Sequence, residues 1–421
     1  MSAQPLPSVR LDRLTELSRA AGEDGSLLRQ REMARGLLSR LALPHRARHL
    51  WRYTSPEQFL PAVDPTATSP VAVDSRWRLE DEVAAAALVA GGALRWSELG
   101  ARARQAGVVI ADLHHAVSDG LLGTLVRPEH GFVEAINAAA WHGGVLVRVP
   151  AGVELEDPIR LRFVASAEQV SVPRVLVIAG EGSRFEVLEG HVGGGVPAQV
   201  LGVTEIAVAR DARVRYSLVQ RWDNSVTGHL TARARLGAGA HFQMSLASFG
   251  GGTYKADVGA VLAGEGAQAE LFGVAMGGDT QHFDHHTEHI HEAGKTHSNL
   301  DFKVALTDAA RSAYTGMIRI ARDAGGAEAY QENRNLLLSA DARAESIPEL
   351  EILTDDVRCS HGATVAPIDD EQMFYLTSRG LRRGQAMRLI VYGFLDQTLQ
   401  RLPRTTRERI AALVAARLHS E

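Results

Sequence analysis

A chain of 421 residues with 45 basic and 50 acidic side chains, a net charge near −5 and no long run of either sign is not composed to bind nucleic acid or to hold a polybasic membrane anchor. Its single cysteine excludes an internal disulfide and suits a reducing compartment, and 40 glycines beside 5% aromatics favour many turns over a bulky helical core. The opening MSAQPLPSVR lacks the apolar core of a signal peptide, and the longest apolar run, Val83 to Leu94, is too short to span a bilayer; a cytoplasmic protein of two or three domains is expected.

In chain order, SVRLDRLTELSRAAG and GSLLRQREMARGLLSRLAL carry leucines at three- and four-residue spacing and predict helices that stop at Pro44. A proline-punctuated connector follows, packed by Trp51 and Tyr53. Short apolar runs, ALVAGGALRW and GVVIADL, predict strands, and FVEAINAAAWHG a further helix.

Beyond Gly143 the pattern becomes alternation broken by tight turns. Turns beginning at Glu181, Asp211, Gly237 and Gly264 start 30, 26 and 27 residues apart, and Ala324 continues the series two periods later. A period of strand and turn without helix predicts a β-solenoid, because one coil cannot bury its own apolar face. A β-sandwich with evenly spaced hairpins is the alternative. After Val365 helices return: PIDDEQMFYLTSRG has acids in its first turn and a glycine stop, GQAMRLIVYGFLDQTLQRL ends at Pro403, and TTRERIAALVAARL opens with Thr405 and Glu408 in capping-box spacing. The expected division is residues 1–75, a helical region and connector; 76–142, a mixed α/β lead-in; 143–366, the β-helix core; and 367–421, a C-terminal helical subdomain.

Three stretches carry possible chemistry. The GKT at Gly294–Thr296 has His289 where a phosphate loop needs glycine, so no nucleotide site is expected there. In HFDHHTEHIHEAGKTH, residues 282–297, a strand would put His285, His289 and His291 on one face and His282 and His286 on the other. Neighbours on that face are about 6.6 Å or more apart and do not converge on one ion. An exposed polar face of the solenoid is therefore preferred to a cupin-like metalloenzyme using this tract. The third stretch is DDVRCSHGAT, where a strand puts Cys359 and His361 on one face. Packing residues and a shared metal site both remain open for this pair, though one thiolate cannot by itself hold an iron–sulfur cluster. No G-x-S-x-G or H-E-x-x-H motif is present, and no self-sufficient hydrolase is expected.

The segment AYQENRNLLLSADARAESIPELEILTDDVRCSHGATVAPIDDEQMFYLTSRGL, through its NRNLLLS, PELEI, DDV, CSHGAT and FYL-x-SRG motifs, resembles the SufD branch of the SufB/SufD family, scaffold subunits of the SUF iron–sulfur cluster assembly machinery. Weaker agreement runs through ARSAYTGMIRI, FVEAINAAAWHGGVLVRVPAGVELEDPI and LPHRARHLWRYTSPEQF. SufB is longer and usually lacks CSHGAT. The resemblance implies a mainly β protein, a right-handed parallel β-helix between helical ends, and no enzymatic activity of its own. It also implies pairing with a SufB-like subunit through the β-helix and binding of a SufC-like ATPase through the C-terminal helices, while a homodimer in the absence of SufB stays open. A nascent iron–sulfur cluster, transient and shared, is then expected at the subunit interface, with His361 opposite a SufB cysteine and Cys359 assisting. A thiolate in that role would need a lowered pKa. The apolar stripes Met387, Leu389, Ile390 and Ile410, Leu413, Val414 are expected to dock the ATPase.

Overall fold

The computed structural model describes residues 6–45, 49–67, 83–115, 120–165 and 170–419. Two amphipathic helices, α1 (Leu14–Ala20) and α2 (Gly25–Leu38), open the chain, and Asp24 caps α2 by accepting from the Ser26 and Leu27 amides. Strands β1 (Ala85–Ala90) and β2 (Ala93–Leu99) form an antiparallel pair, then come α3 (Ala101–Gln105), β3 (Val109–Asp112), α4 (Phe132–Ala140) and β4 (Val145–Val149), with β3 antiparallel to β4.

From there the chain is almost wholly parallel β. The strands are β5 (Ile159–Ala165), β6 (Val170–Ser171), β7 (Arg174–Ala179), β8 (Arg184–Gly193), β9 (Ala198–Val208), β10 (Arg213–Trp222), β11 (Val226–Leu236) and β12 (His241–Ser248). They continue with β13 (Thr253–Leu262), β14 (Gln268–Gly277), β15 (His282–His291), β16 (His297–Leu306), β17 (Arg311–Ile320), β18 (Ala327–Leu337), β19 (Arg343–Ile352) and β20 (Val357–Pro367). From β7 onward successive strands fall in opposite sheets and each as far as β18 pairs in parallel with the strand two further on, within the orders β2-β1-β5-β8-β10-β12-β14-β16-β18-β20 and β19-β17-β15-β13-β11-β9-β7-β4-β3. This is a parallel β-solenoid, as the turn period predicts, and the β-sandwich alternative falls because its hairpins would be antiparallel.

One corner explains the period. Gly182, Asp211, Gly239, Gly266, Lys295 and Gly326 all have positive φ, and each donates its amide to a carbonyl of the next coil, Asp211 to Ala238 at 3.0 Å and Lys295 to Gly325 at 2.9 Å among them. The missing coil of the turn series is GKT: Lys295 takes the left-handed position at φ 54° and pairs its Nζ with Glu265 at 2.7 Å. This motif is a solenoid corner.

The lumen is filled by inward side chains in columns, such as Val187, Tyr216, Met244, Leu271 and Leu300. At the N-terminal end Ala103 and Val108 join this core and close it. On the outer face of the second sheet, α4 and the connector lie over the strands. Trp51 stacks on His229, Lys255 Nζ donates to Leu50 O at 2.8 Å, and the Thr54 hydroxyl donates to Asp284. Trp51 thus packs the connector, as expected of it; Tyr53 is half-buried to a similar degree but meets only the Arg52 guanidinium among the ring contacts of the described residues. Residues 46–48 and 68–75 of the expected connector, and 76–82 of the expected lead-in, lie outside the described residues.

Three helices end the chain: α5 (Asp370–Ser378), α6 (Arg383–Leu399) and α7 (Arg404–His419). Val391, Leu395, Leu399, Ile410 and Val414 are buried against Phe249, Phe272, Val274 and Met276 on the outer flank of the first sheet. This corrects the expectation for the apolar stripes. Ile410 and Val414 are consumed in covering the solenoid, Met387, Ile390 and Leu413 are partly so, and only Leu389 stays exposed. The capping box is corrected as well: α7 starts at Arg404, and the hydroxyls of Thr405 and Thr406 instead donate to the Glu186 carboxylate at 3.2 and 2.8 Å, fastening α7 to β8.

Candidate functional site

Strands β19 and β20 are the last of their sheets, so among the described residues the solenoid has no further coil at this end. Residues in the inward columns are therefore uncovered here: Ile352 is 38% exposed and Val365 44%. The N-terminal end is plugged and this one is open.

Cys359 and His361 both lie on the inward face of β20, with Ser360 turned outward, as the two-residue period requires. Parallel register sets Cys359 beside Ala329 and His361 beside Gln331 of β18. Cys359 is half-buried and packs against the solenoid core, whereas His361 is exposed. Burial pushes the Cys359 thiol above the ordinary cysteine range, opposed by a backbone hydrogen bond at Ala329. The depressed pKa expected of a thiolate is thus not built into this chain. A covering partner that supplies positive charge or a metal would have to provide it.

Beneath the rim the lumen changes character. Down the His361 column the residues are Leu271, Leu300 and then Gln331; two places along come Gly273, Phe302 and Asn333, and then Ala275, Val304 and Asn335. Gln331 and Asn333 are fully buried and Asn335 nearly so. Asn333 Nδ2 donates to Phe302 O at 3.2 Å, and Asn335 Nδ2 to Asn333 Oδ1 at 2.7 Å. These amides were not singled out from sequence. Their signal was QENRN, polar residues at alternate positions in a strand where the preceding coils place apolar ones.

The histidine tract is corrected from exposed to buried. His285, His289 and His291 do share the inward face with Thr287, but all four are within 1% of full burial. His285 Nε2 lies 2.9 Å from Ser248 Oγ, and His291 lies 2.7 Å from Thr296 Oγ1 and 2.9 Å from Ser298 Oγ. His285 also packs between the rings of Tyr254 and Phe302. Burial holds these imidazoles neutral, lowering His285 and His289 to about 3 and His291 to about 4. On the outer face His282 lies 2.8 Å from Thr54 Oγ1 of the connector, and His286 lies 2.5 Å from Asp257. Imidazoles buried in a row, with His285 and His291 hydrogen-bonded to hydroxyls and His289 held by burial alone, are packing groups. No three potential ligand side chains converge on a metal position among the described residues.

Residues 162–394, more than half of the chain and all of the coils from β8 to β20, match the profile of the SufBD core domain of the SUF system for FeS cluster assembly. The chain belongs to the SufBD family. An iron-sulfur cluster assembly SufBD family protein of Staphylococcus saprophyticus is 29% identical over 306 residues, covering 70% of this chain and 66% of that one. Similar family proteins of Staphylococcus haemolyticus and Staphylococcus epidermidis are each 31% identical over 272 residues, 64% of this chain and 58% of theirs. The match thus spans about three-fifths to two-thirds of the length of these relatives. Membership ties this SufBD protein to iron–sulfur cluster assembly, and the profile takes in both Cys359 and His361. No helix among its described residues is long and apolar enough to cross a membrane.

Proposed function

We propose that this chain is a SufD-type, non-enzymatic scaffold subunit of the cytoplasm, whose open solenoid end pairs with a SufB-like subunit and offers His361, assisted by Cys359, to an iron–sulfur cluster assembled between the two. The observation that carries this reading is the uncovered last coil, which leaves a thiol and an imidazole on its inward face. Two adjacent unpaired strand edges are an invitation to pair with another sheet, and a free protein ordinarily blunts them. Covering this end with a second solenoid continues both ladders and encloses Cys359 and His361 at the junction. When SufB is absent a second copy of this chain fills the same place.

One sulfur and one nitrogen do not complete the four ligands of a cluster, so the remaining ligands come from the partner. Neutral imidazole binds iron, and histidine in place of thiolate raises the potential of the centre, which suits a scaffold that has to hand its product on. The cluster is cargo here, transient and shared. A SufC-like ATPase docks on α5 and α6, where Phe374 is 74%, Tyr375 57% and Leu389 53% exposed beside Tyr392.

The test is co-expression with SufB- and SufC-like subunits, followed by iron and acid-labile sulfide per purified complex. His361→Ala is expected to lose most of both while the chain melts as wild type, since removing an exposed imidazole changes stability by less than about 0.5 kcal/mol. Cys359→Ala is expected to lose less. Wild-type iron and sulfide in the His361→Ala complex would overturn the proposal.

A further inference from the structure

Resting on the reading of His361 as an iron ligand, we infer that Gln331 is its positioning residue: the Gln331 side-chain carbonyl accepts the proton-bearing nitrogen of the His361 ring and leaves the other ring nitrogen, with its lone pair, facing the cluster. The two residues are register partners on adjacent parallel strands and point to the same inward face, so their side chains stack at the interstrand spacing of about 4.8 Å.

Gln331 is fully buried, and its amide is oriented by a bond it cannot make the other way round. Nε2 donates to Gly316 O at 3.2 Å, and a carbonyl only accepts, so the nitrogen must occupy that side and Oε1 the other. Oε1 then has no partner, although buried acceptors in folded chains nearly always have one.

The fold also makes room for this side chain. A Cβ at Gly316 would sit 2.1 Å from Gln331 Nε2 and 2.7 Å from the Tyr314 hydroxyl, in a column where neighbouring coils carry Thr287 and Pro348. In the two preceding coils the place of Gln331 is taken by Leu300 and Leu271, so the amide appears only where the column meets His361. Of the nearby amides, Asn333 Oδ1 already accepts from Asn335, and the Asn335 oxygen, unpartnered as well, belongs to the column that ends in Val365, not in His361.

On its own side His361 is exposed, and its ring makes no hydrogen bond among the described residues. A neutral imidazole carries one N–H and one lone pair, and an acceptor beside the ring decides which nitrogen keeps the proton. Metal-binding histidines are commonly fixed in this way, and losing the outer partner typically weakens the metal's hold about 10- to 100-fold.

Two measurements test the inference. In the isolated full-length chain, nitrogen-15 spectra of labelled histidine above neutral pH are expected to show His361 as a single tautomer, and Gln331→Leu, which keeps the bulk and removes the carbonyl, to return a mixture. In the complex co-purified with its partners, Gln331→Leu is expected to release iron to a ferrous chelator at about 10- to 100-fold lower chelator concentration than wild type. Gln331→Glu, which restores an acceptor, recovers both. Melting of each variant accompanies the series, and Gln331→Leu is expected to melt close to wild type, because loss of the unpaired buried oxygen offsets loss of the Nε2 bond to Gly316 O. A tautomer mixture in the wild type would show that solvent satisfies Oε1 and would refute the inference. So would wild-type iron retention in Gln331→Leu when His361→Ala strips the iron. If His361→Ala also retains its iron, the reading of His361 as a ligand has failed instead.

Discussion

Acidification is the perturbation that most sharply tests the buried histidine tract. His285 and His289 have pKa values of about 3 and His291 of about 4, all lowered by burial, whereas an imidazole in the unfolded chain titrates near 6.5. Between pH 6.5 and about 4 the unfolded chain therefore binds more protons than the folded one, and stability falls as pH falls through that window. At pH 5 each neutral imidazole costs RT ln(1 + 10^1.5), about 2 kcal/mol, and the three together about 6 kcal/mol. That is comparable to the whole stability of many domains, so unfolding of the coils around β15 is expected near pH 5. Below pH 4.5 a second loss joins it. Glu23, lowered to about 2 by hydrogen bonds from His114 and Arg31 that outweigh its burial, contributes stability present above its unfolded pKa and lost as pH falls toward 2. The assay is urea unfolding at pH 8, 7, 6 and 5, followed by far-ultraviolet circular dichroism. In the triple variant His285→Phe, His289→Leu, His291→Gln the slope between pH 6.5 and 5 should flatten, whatever its absolute stability. A wild-type unfolding free energy constant to within about 1 kcal/mol from pH 7 to pH 5 would refute the reasoning and return the tract to solvent.

Three other outcomes follow from the packing. Arg174 bonds Glu205 at 2.7 Å and Asn137 at 2.9 Å with both charges buried, so Arg174→Met should strand the carboxylate and cost about 3–5 kcal/mol, read as a fall in melting temperature. Gly316→Ala should cost about 1–3 kcal/mol because its methyl meets Gln331 and Tyr314, and Gln331→Ala in the same chain should recover part of that loss. Phe374→Asp with Leu389→Asp should abolish capture of the ATPase with melting nearly unchanged. This pair is a cleaner probe than stopping the chain at Ala366, which would strip α6 and α7 from Phe249, Phe272, Val274 and Met276 and expose a large apolar flank.

The solenoid was legible because its corners need left-handed residues, and glycine and aspartate mark most of them. The corner at Lys295 escaped because lysine seldom adopts positive φ, so a turn pattern built on glycine and acids skips that coil. The face on which each histidine lies was legible from the two-residue period, but its burial was not. An alternating strand shows which residues share a side and is silent about what covers either side. Here His285, His289 and His291 face a lumen that accepts neutral imidazoles, while His282 sits beneath a connector more than 200 residues away in sequence, at Thr54. The same blindness misassigned the stripes of α6 and α7, since an apolar helical face looks alike whether it meets the chain's own sheet or another protein. Cys359 and His361 stood out because no other cysteine exists and the period aligned them, yet the open end that gives the pair its setting is a property of where the coils stop.

That setting accounts for the residue types along the last two coils. Each inner coil covers the apolar face of its neighbour, so columns such as Leu271 and Leu300 need only bulk. Among the described residues the terminal coil has no further neighbour, and a leucine in the Cys359 or His361 position would face water in the free chain, which favours aggregation through the open edges. Cysteine and histidine tolerate both states: a half-buried protonated thiol and a neutral imidazole cost little when hydrated and are ligands when enclosed with iron. The buried amides one coil down grade the change from a dry lumen to a wet rim, and the unpartnered Gln331 oxygen lies in the column that ends, among the described residues, at the His361 imidazole. Ile352 and Val365 nevertheless stay uncovered beside this column, so the free end keeps an apolar strip that favours re-pairing, in keeping with the proposed assembly of a cluster between two chains.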